Sequence, residues 1–438
     1  MKQQGRIPVG KVKRASRFLK TGAKVGGNYV KHFAKKAVGA ADEEELHSNN
    51  AQDIYDSLAE LKGSVLKVAQ MMSMDRQAMP TAYLDKFAEA QYQTPPLSYP
   101  LIVNTFKKTF GCAPDQLFDE FSRSAINAAS MGQVHRAKSG DSTLAVKIQY
   151  PGVADSVRSD LRMAYPLAKS LLSMNGTDLK VYMDEVEARL IEETDYELEL
   201  KRSMELSAAC AHLDNLRFPE YYPQWCNQRV LTMEWIEGLH LSEYLATGPP
   251  TGESQKLGQA LWDFYQYQIH YLKQLHADPH PGNFIITKES KLGVIDFGCV
   301  KVLPQDFYDV YFKLLDPEIL NDRAQRLKLF YDLAFLYEDD NQDNIAFFDD
   351  IFSASIRLLG QPFYVEHFDF GKESYFQQIY EMGMKLSKEP RLRNSKRGRG
   401  SRHALYLNRT YFGLYNLLHQ LRARIDTRKF LDITNFTA

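Results

Sequence analysis

Apolar positions in the first hundred residues fall at helical spacing. In GKVKRASRFLKTGAKVGGNYVKHFAKKA, Phe18, Val25, Tyr29 and Phe33 share a face, and Gly26-Gly27 weakens the helix between them. In NNAQDIYDSLAELKGSVLKVAQMMS, Ile54, Leu58, Leu61, Val65, Val68 and Met72 form one apolar stripe, with Asn49 or Asn50 placed to cap its start. Lys67 and Gln70 are three apart on the opposite face, and periodicity alone makes them a solvated surface. TPPLSYP, Thr94 to Pro100, then breaks the chain. From about residue 122 the pattern shortens to strands. A small-residue turn, SAINAASMG, leads into Gln133-Val134-His135, and KSGDS joins this to a strand from Leu144 to Gln149 that carries Lys147. A helical region follows to about residue 213, then QRVLTMEWIEG as strand and turn. Leu257, Leu261, Phe264, Gln268, Leu272 and Leu275 predict a helix that runs into LHADPHPGNFII. NFIITKESKLGVIDFG reads as a hairpin ending at Asp296, and the chain beyond Pro304 is mostly helical. The divisions predicted are 1–48 (a basic arm), 49–121 (a helical extension), 122–238 (a strand-rich lobe with inserted helices) and 239–438 (a mostly helical lobe).

Composition narrows the class. A chain of 438 residues with 44% hydrophobic and 25% charged residues is a globular protein of two or three domains, or one two-lobed unit with extensions. No apolar run approaches the ~20 residues of a membrane span. The N-terminus lacks the apolar segment of a secretory signal. Cys112, Cys210, Cys226 and Cys299 are scattered, which fits a reducing, cytoplasmic compartment and argues against a cysteine zinc site. Net charge is −1, yet the stretch from Met1 to Ala41 holds eleven Lys or Arg and no acid. Such an arm either lies on an anionic membrane surface as a peripheral contact or packs on its own domain. A second basic run, Lys388 to Arg402, reads first as a disordered loop and second as a lipid- or RNA-contacting one. Lacking interleaved aromatics, it argues against a nucleic-acid partner.

Candidate chemistry concentrates in LHADPHPGNFII. Alternation of His276, Asp278 and His280 would put three ligands on one strand face, but Pro279 and Pro281 prevent a regular paired strand. A phosphate-transfer loop fits better. Asp278 and Asn283 are five apart, as base and asparagine are in a kinase catalytic loop, and Asp296-Phe297-Gly298 begins thirteen residues after Asn283 with a hairpin between. Phosphoryl transfer needs a metal to neutralise phosphate charge, a lysine on the phosphates and an oriented acceptor. His276 then scaffolds the loop, and His280 is left with two uses, tuning Asp278 or contacting substrate.

With these parts in this order, residues from about Leu61 to Val300 resemble the UbiB family, also called ABC1 or ADCK (AarF), of atypical kinase-like proteins. KVAQ, Lys67 to Gln70, is similar to that family's K-x-G-Q motif. NAASMGQVH, Asn127 to His135, resembles its alanine-rich loop. Lys147 in AVKIQYPGV, Glu193 and Asp195 as E-x-D, Glu199 six residues on, HADPHPGN and VIDFG complete the match, and RTYFGLYNLLHQL from Arg409 is also similar. Two departures stand out: Ala69 replaces the motif glycine and Asn127 the first alanine.

The resemblance implies an α+β, protein-kinase-like two-lobed fold with an N-terminal helical extension and a helical C-terminal region. It implies ATP or ADP with Mg²⁺ as cofactors. Asp278 is the implied base, Lys147 paired with Glu199 contacts phosphates, and Asn283 and Asp296 hold metal. Ala128, Ala129, Ser130 and Gly132 form the nucleotide loop, and backbone groups of Glu234 and Ile236 meet adenine. Lys67, Gln70, Glu193 and Asp195 face the nucleotide from the extension and the following helix, so the solvated-surface reading of Lys67 and Gln70 is reversed. If that helix is regular, Glu193 and Glu199 lie about two-thirds of a turn apart and serve different faces. A helix soon after Asp296-Phe297-Gly298 leaves no long activation segment, which argues against a peptide substrate. The implied activity is ATP hydrolysis or phosphorylation of a small molecule or lipid, in support of isoprenoid quinone or related lipid metabolism with lipid-biosynthesis proteins as partners. The alternatives are a pseudokinase-like ATP-dependent binding module and a small-molecule kinase of the aminoglycoside or choline type.

Overall fold

The computed structural model describes residues 11–37, 43–61, 63–64, 67–68, 86, 96–128, 131–171, 176–393 and 398–431. The chain divides into two compact units, Met1–Lys201 with Glu220–Trp235, and Arg202–Pro219 with Ile236–Ala438.

The first unit opens with helices α1 (Lys11–Ala37) and α2 (Glu43–Leu61). Helix α3 (Tyr99–Phe110) precedes a sheet made by β1 (Glu120–Phe121), β2 (Asn127–Ala128), β3 (Gly132–Ser139), β4 (Ser142–Gln149) and, later in the chain, the strand Val230–Glu234. Helices α4 (Val153–Leu171), α5 (Gly176–Glu193) and α6 (Tyr196–Cys210) fall between. The alternation in β4 decides its faces. Leu144, Val146 and Ile148 are fully buried in the core with Ile54, Leu58, Leu61 and Phe106, while Ala145, Lys147 and Gln149 take the other face.

The apolar stripe predicted for the extension is buried as expected at Ile54, Leu58, Leu61 and Val68. Its helix differs in extent. Helix α2 begins at Glu43, so Asn49 and Asn50 lie inside it rather than cap it, and buried Asn50 instead accepts a hydrogen bond from Asn28 at 2.9 Å. The helix ends at Leu61 because Gly63 takes φ +69°, a left-handed conformation that side chains rarely adopt. Val65 and Met72 lie outside the described residues.

The basic arm folds as α1, unbroken at Gly26-Gly27, and packs on the first unit. Buried Arg14 meets Asp160 of α4 at 2.6 and 2.7 Å and donates to the Leu61 carbonyl at 2.9 Å. Asp160 also accepts from Ser64 at 2.5 Å and Ser156 at 2.9 Å. One carboxylate thus ties the arm, the end of α2 and α4 together. Val25 packs against the core from the arm, while the side chains of Phe18, Tyr29 and Phe33 lie outside the described residues.

The later chain continues through β5 (Leu216–Arg217), β6 (Val230–Glu234, the first unit's last strand), β7 (Gly238–His240), α7 (Leu241–Ala246) and α8 (Thr251–Tyr267). Then come β8 (Gln274–His276), β9 (Phe284–Thr287), β10 (Leu292–Val294) and β11 (Val300–Val302). The second unit's sheet runs β5-β10-β9-β7, and β8 pairs with β11. Helix α8 buries Leu257, Leu261, Trp262, Phe264 and Tyr265, of which the leucines and the phenylalanine each contribute about 1.5–3 kcal/mol by burial. It ends in a π turn, Gln268–Leu272, where the periodicity had predicted helix up to Leu275. Lys273 at φ +51° closes that turn, and β8 follows. Helices α9 (Gln305–Lys313), α10 (Pro317–Asn321), α11 (Arg323–Asp332), α12 (Gln342–Leu359), α13 (Glu373–Lys388), α14 (Pro390–Arg393) and α15 (Arg402–Gln420) complete the unit with the β12 (His367–Asp369) and β13 (Arg424–Asp426) pair. The second basic run is partly built in, since Arg399 pairs with Asp340 at 2.5 and 2.6 Å; residues 394–397 lie outside the described set.

Candidate functional site

In the first unit, Lys147 is central to β4, paired with Val134 on β3 and Leu231 on β6. Its ammonium lies 2.7 Å from Glu199, which is 4% exposed, and 5.1 Å from the centre of the Tyr196 ring. A buried carboxylate at this distance fixes that lysine. Gln149, two residues along the same face, donates to the Thr194 carbonyl at 2.9 Å and pins the segment that carries Glu199.

Glu193 and Asp195 do not share one regular helix with Glu199. Helix α5 stops at Glu193, and α6 begins at Tyr196. Asp195 causes the restart: its carboxylate accepts from the Leu198 N–H at 3.0 Å, the N-cap arrangement that aspartate favours. Glu193 pairs with Lys67 at 3.1 Å. Gln70 and Ala69 lie outside the described residues, as do Ala129 and Ser130 of the small-residue loop. Ala128 pairs with Gln133 as the last residue of β2. Gly132 is buried at the start of β3, where an added methyl would sit 2.6 Å from the Ile148 carbonyl and 2.8 Å from the Tyr196 hydroxyl. Glu234 ends β6. Its N–H donates to the Glu220 carbonyl at 2.7 Å. Its side chain is not idle either, accepting from the Glu220 N–H at 3.2 Å.

In the second unit, the Asp278 loop is built from both sides. Strand β8 holds His276 opposite Val300, and the Ala277 N–H donates to the Cys299 carbonyl at 2.8 Å. His276 is fully buried. Its Nε2 donates to the Asp296 carbonyl at 2.7 Å, and the Tyr265 hydroxyl sits 3.0 Å from its Nδ1. A carbonyl accepts only, so Nε2 bears the proton and Nδ1 receives the Tyr265 hydrogen. Both nitrogens are spent inside the protein. His276 therefore ties β8 to the Asp296 backbone. Burial, with Asp278 nearby, keeps the Tyr265 hydroxyl protonated well above its usual range.

After His276 the strand ends, and the alternation of His276, Asp278 and His280 is not a strand face. The His280 N–H closes a tight turn onto the Asp278 carbonyl at 2.7 Å, and its Nδ1 accepts from Gly282 N–H at 3.0 Å. Asn283 donates its side-chain nitrogen to the Asp278 carbonyl at 2.9 Å and approaches the Asp278 carboxylate at 3.4 Å. Its carbonyl accepts from Ile295 N–H at 3.1 Å, next to Asp296. One Asp296 oxygen accepts from Gly298 N–H at 2.8 Å. Asp278, Asn283 and Asp296 are thus gathered by the chain itself. With its nitrogen committed to Asp278, Asn283 has its amide oxygen to offer. An amide oxygen beside a carboxylate is a hard donor set that fits Mg²⁺. Ile236 sits in this unit with its side chain against Gly293, 9% exposed, so a substitution there would disturb packing, contrary to the backbone-only expectation. Three residues after β11 ends, α9 begins at Gln305.

Sequence reasoning missed Tyr265 and Gln268, which accepts the His276 N–H at 3.0 Å. Periodicity placed Gln268 in a continuing helix and did not single out Tyr265, and nothing local marks the π turn that carries Gln268.

Residues 89–329 match the model of the ABC1 atypical kinase-like domain. An uncharacterized aarF domain-containing protein kinase of Arabidopsis thaliana, described as chloroplastic, is 31% identical over 295 residues, covering 65% of this chain and 41% of that protein. The atypical kinase COQ8B of Danio rerio, described as mitochondrial, is 25% identical over 450 residues, covering 99% of this chain and 70% of that protein. A solved structure of Mycobacterium tuberculosis Rv3197 in complex with erythromycin superposes with a TM-score of 0.60 at 25% identity, covering 90% of this chain and 97% of that one. The α+β, kinase-like architecture agrees with this likeness. With more than half of its length matched to that domain, the chain belongs to the ABC1 atypical kinase-like family.

Proposed function

We propose that the chain binds ATP with Mg²⁺ and acts as an ATPase or as a phosphotransferase to a small molecule or lipid. The observation that carries this reading is the Asp278, Asn283 and Asp296 cluster, assembled by hydrogen bonds inside one unit. Asn283 and Asp296 would hold the metal, which supplies charge neutralisation at the phosphates. Asp278 accepts the acceptor's proton or orients water. Lys147, fixed by Glu199, contacts phosphate oxygens, and Lys67, Gln70, Glu193, Asp195, Ala128, Ala129, Ser130 and Gly132 line the nucleotide, with backbone groups of Glu234 and Ile236 for the base. The resemblance to the UbiB family extends the proposal to a role at the membrane surface in isoprenoid quinone or related lipid metabolism. Among the described residues no helix is long and apolar enough to cross a membrane, so that role is assigned to peripheral contact. A second reading, an ATP-switched binding module, draws on the Lys67–Glu193 pair, which joins the extension to the E-x-D segment. Family membership counts against the aminoglycoside- or choline-kinase type.

Phosphate release from Mg-ATP, with and without anionic liposomes, separates the first two. Liposome-stimulated release that disappears in Asp278→Asn supports the enzyme. Nucleotide binding with no release in either condition supports the module.

A further inference from the structure

We infer that Gly413 is a notch in α15 that seats the turn Asp278-Pro279-His280 and thereby sets the position of Asp278. The inference rests on the reading of Asp278 as a reacting group, but the notch itself is a matter of packing. Gly413 lies within the continuous helix Arg402–Gln420, where glycine is less stabilising than alanine. The cost has a local reason. A methyl added at Gly413 would overlap Pro279 Cγ and come within 3.2 Å of Pro279 Cβ and 3.4 Å of its carbonyl oxygen. Gly383, inside α13, has nothing within 4 Å of the same added methyl.

Neither partner has room to yield. Leu407, Leu414, Leu417 and Leu418 bury α15 to 1% exposure or less, and Tyr411 donates to Gln266 at 3.2 Å. On the other side, the His280 N–H and the Asn283 side chain both hold the Asp278 carbonyl, at 2.7 and 2.9 Å. Pressure on Pro279 therefore reaches Asp278 and Asn283 together. Gly413 is a positioning residue that touches no ligand.

Hydrogen exchange at the Gly282 and Asn283 amides of the full chain reads the loop without relying on turnover. Gly413→Ala is expected to speed exchange there at least about tenfold and to lower the rate of phosphate release at saturating ATP. Pro279→Ala in the same chain removes the overlapping Cγ and is expected to restore protection, measured against Pro279→Ala alone. Gly383→Ala should leave the loop unchanged. The notch is refuted if Gly413→Ala behaves like Gly383→Ala, or if Pro279→Ala brings no rescue. Should Gly413→Ala alone fail to fold, folding of the double variant supports the notch and its failure to fold refutes it. Undiminished phosphate release in Asp278→Asn would instead sink the assignment of Asp278 while leaving the exchange result standing.

Discussion

Lys147 and Glu199 meet because two separate local preferences agree. Period-two alternation turns Lys147 away from the core face of β4, and the Asp195 cap restarts the helix that carries Glu199 inward. The lysine, the glutamate and the Asp278, Asn283 and Asp296 spacing were all legible as residues. The cap was not, because Glu193 to Glu199 scans as unbroken helix and a capping aspartate looks like any exposed acid. Nor was the buried polar cluster at His270, which lies at 2.8 Å from the Tyr308 hydroxyl and 3.0 Å from Gln266 Oε1. Burial, with Lys273 beside it, holds the His270 pKa down from 6.5 to about 3. The folded chain then binds fewer protons there than the unfolded chain. Its contribution is fully present above pH 6.5 and is lost as pH falls toward 3. We expect stability to fall by ~1.4 kcal/mol per pH unit from this group across that window. Urea unfolding at pH 7, 6 and 5 should show a slope shallower by up to that amount in His270→Asn, the difference growing as pH falls. Equal slopes in the two proteins would mean that His270 titrates normally.

Among the elements, those carried by strict alternation or a clean stripe were predicted well. The β3–β4 hairpin and the buried faces of α2 and α8 are examples. Misplaced boundaries have physical causes. The stripe through Leu61, Val65 and Val68 hides the left-handed Gly63, and the apolar run to Leu275 hides the π turn. Whether the basic arm lies on a membrane or on the protein was open from sequence, since lysines on one face suit both. Docking of α1 is decided by Arg14, a residue that periodicity could not single out from its ten basic neighbours. Breaking a buried ion pair from one side leaves the other charge uncompensated and costs about 3–5 kcal/mol. Arg14→Ala is accordingly expected to destabilise the first unit by that order. Amides of α1 should then exchange many-fold faster, because α1 loses its attachment at Asp160. Unchanged protection in α1 would show that the apolar contacts alone hold it.

At the scale of the whole molecule, the order of motifs was more informative than any one of them. A strand lysine, a buried glutamate, a D-x-x-x-x-N loop and Asp296-Phe297-Gly298 each occur by chance; in this order they make a kinase-like chain, and the family match agrees. The acceptor stayed out of reach because acceptor specificity rests on side chains brought together by folding, with no spacing rule to announce them. The account stands on one claim, that the chain binds ATP with Mg²⁺. Calorimetric titration of the purified chain with ATP, with and without Mg²⁺, tests it most directly. We predict saturable binding that strengthens with Mg²⁺, weakens at least tenfold in Lys147→Ala, and loses its Mg²⁺ dependence in Asp296→Asn. Binding that ignores both substitutions, or no binding at all, would contradict the claim and leave the kinase-like fold without a kinase-like site.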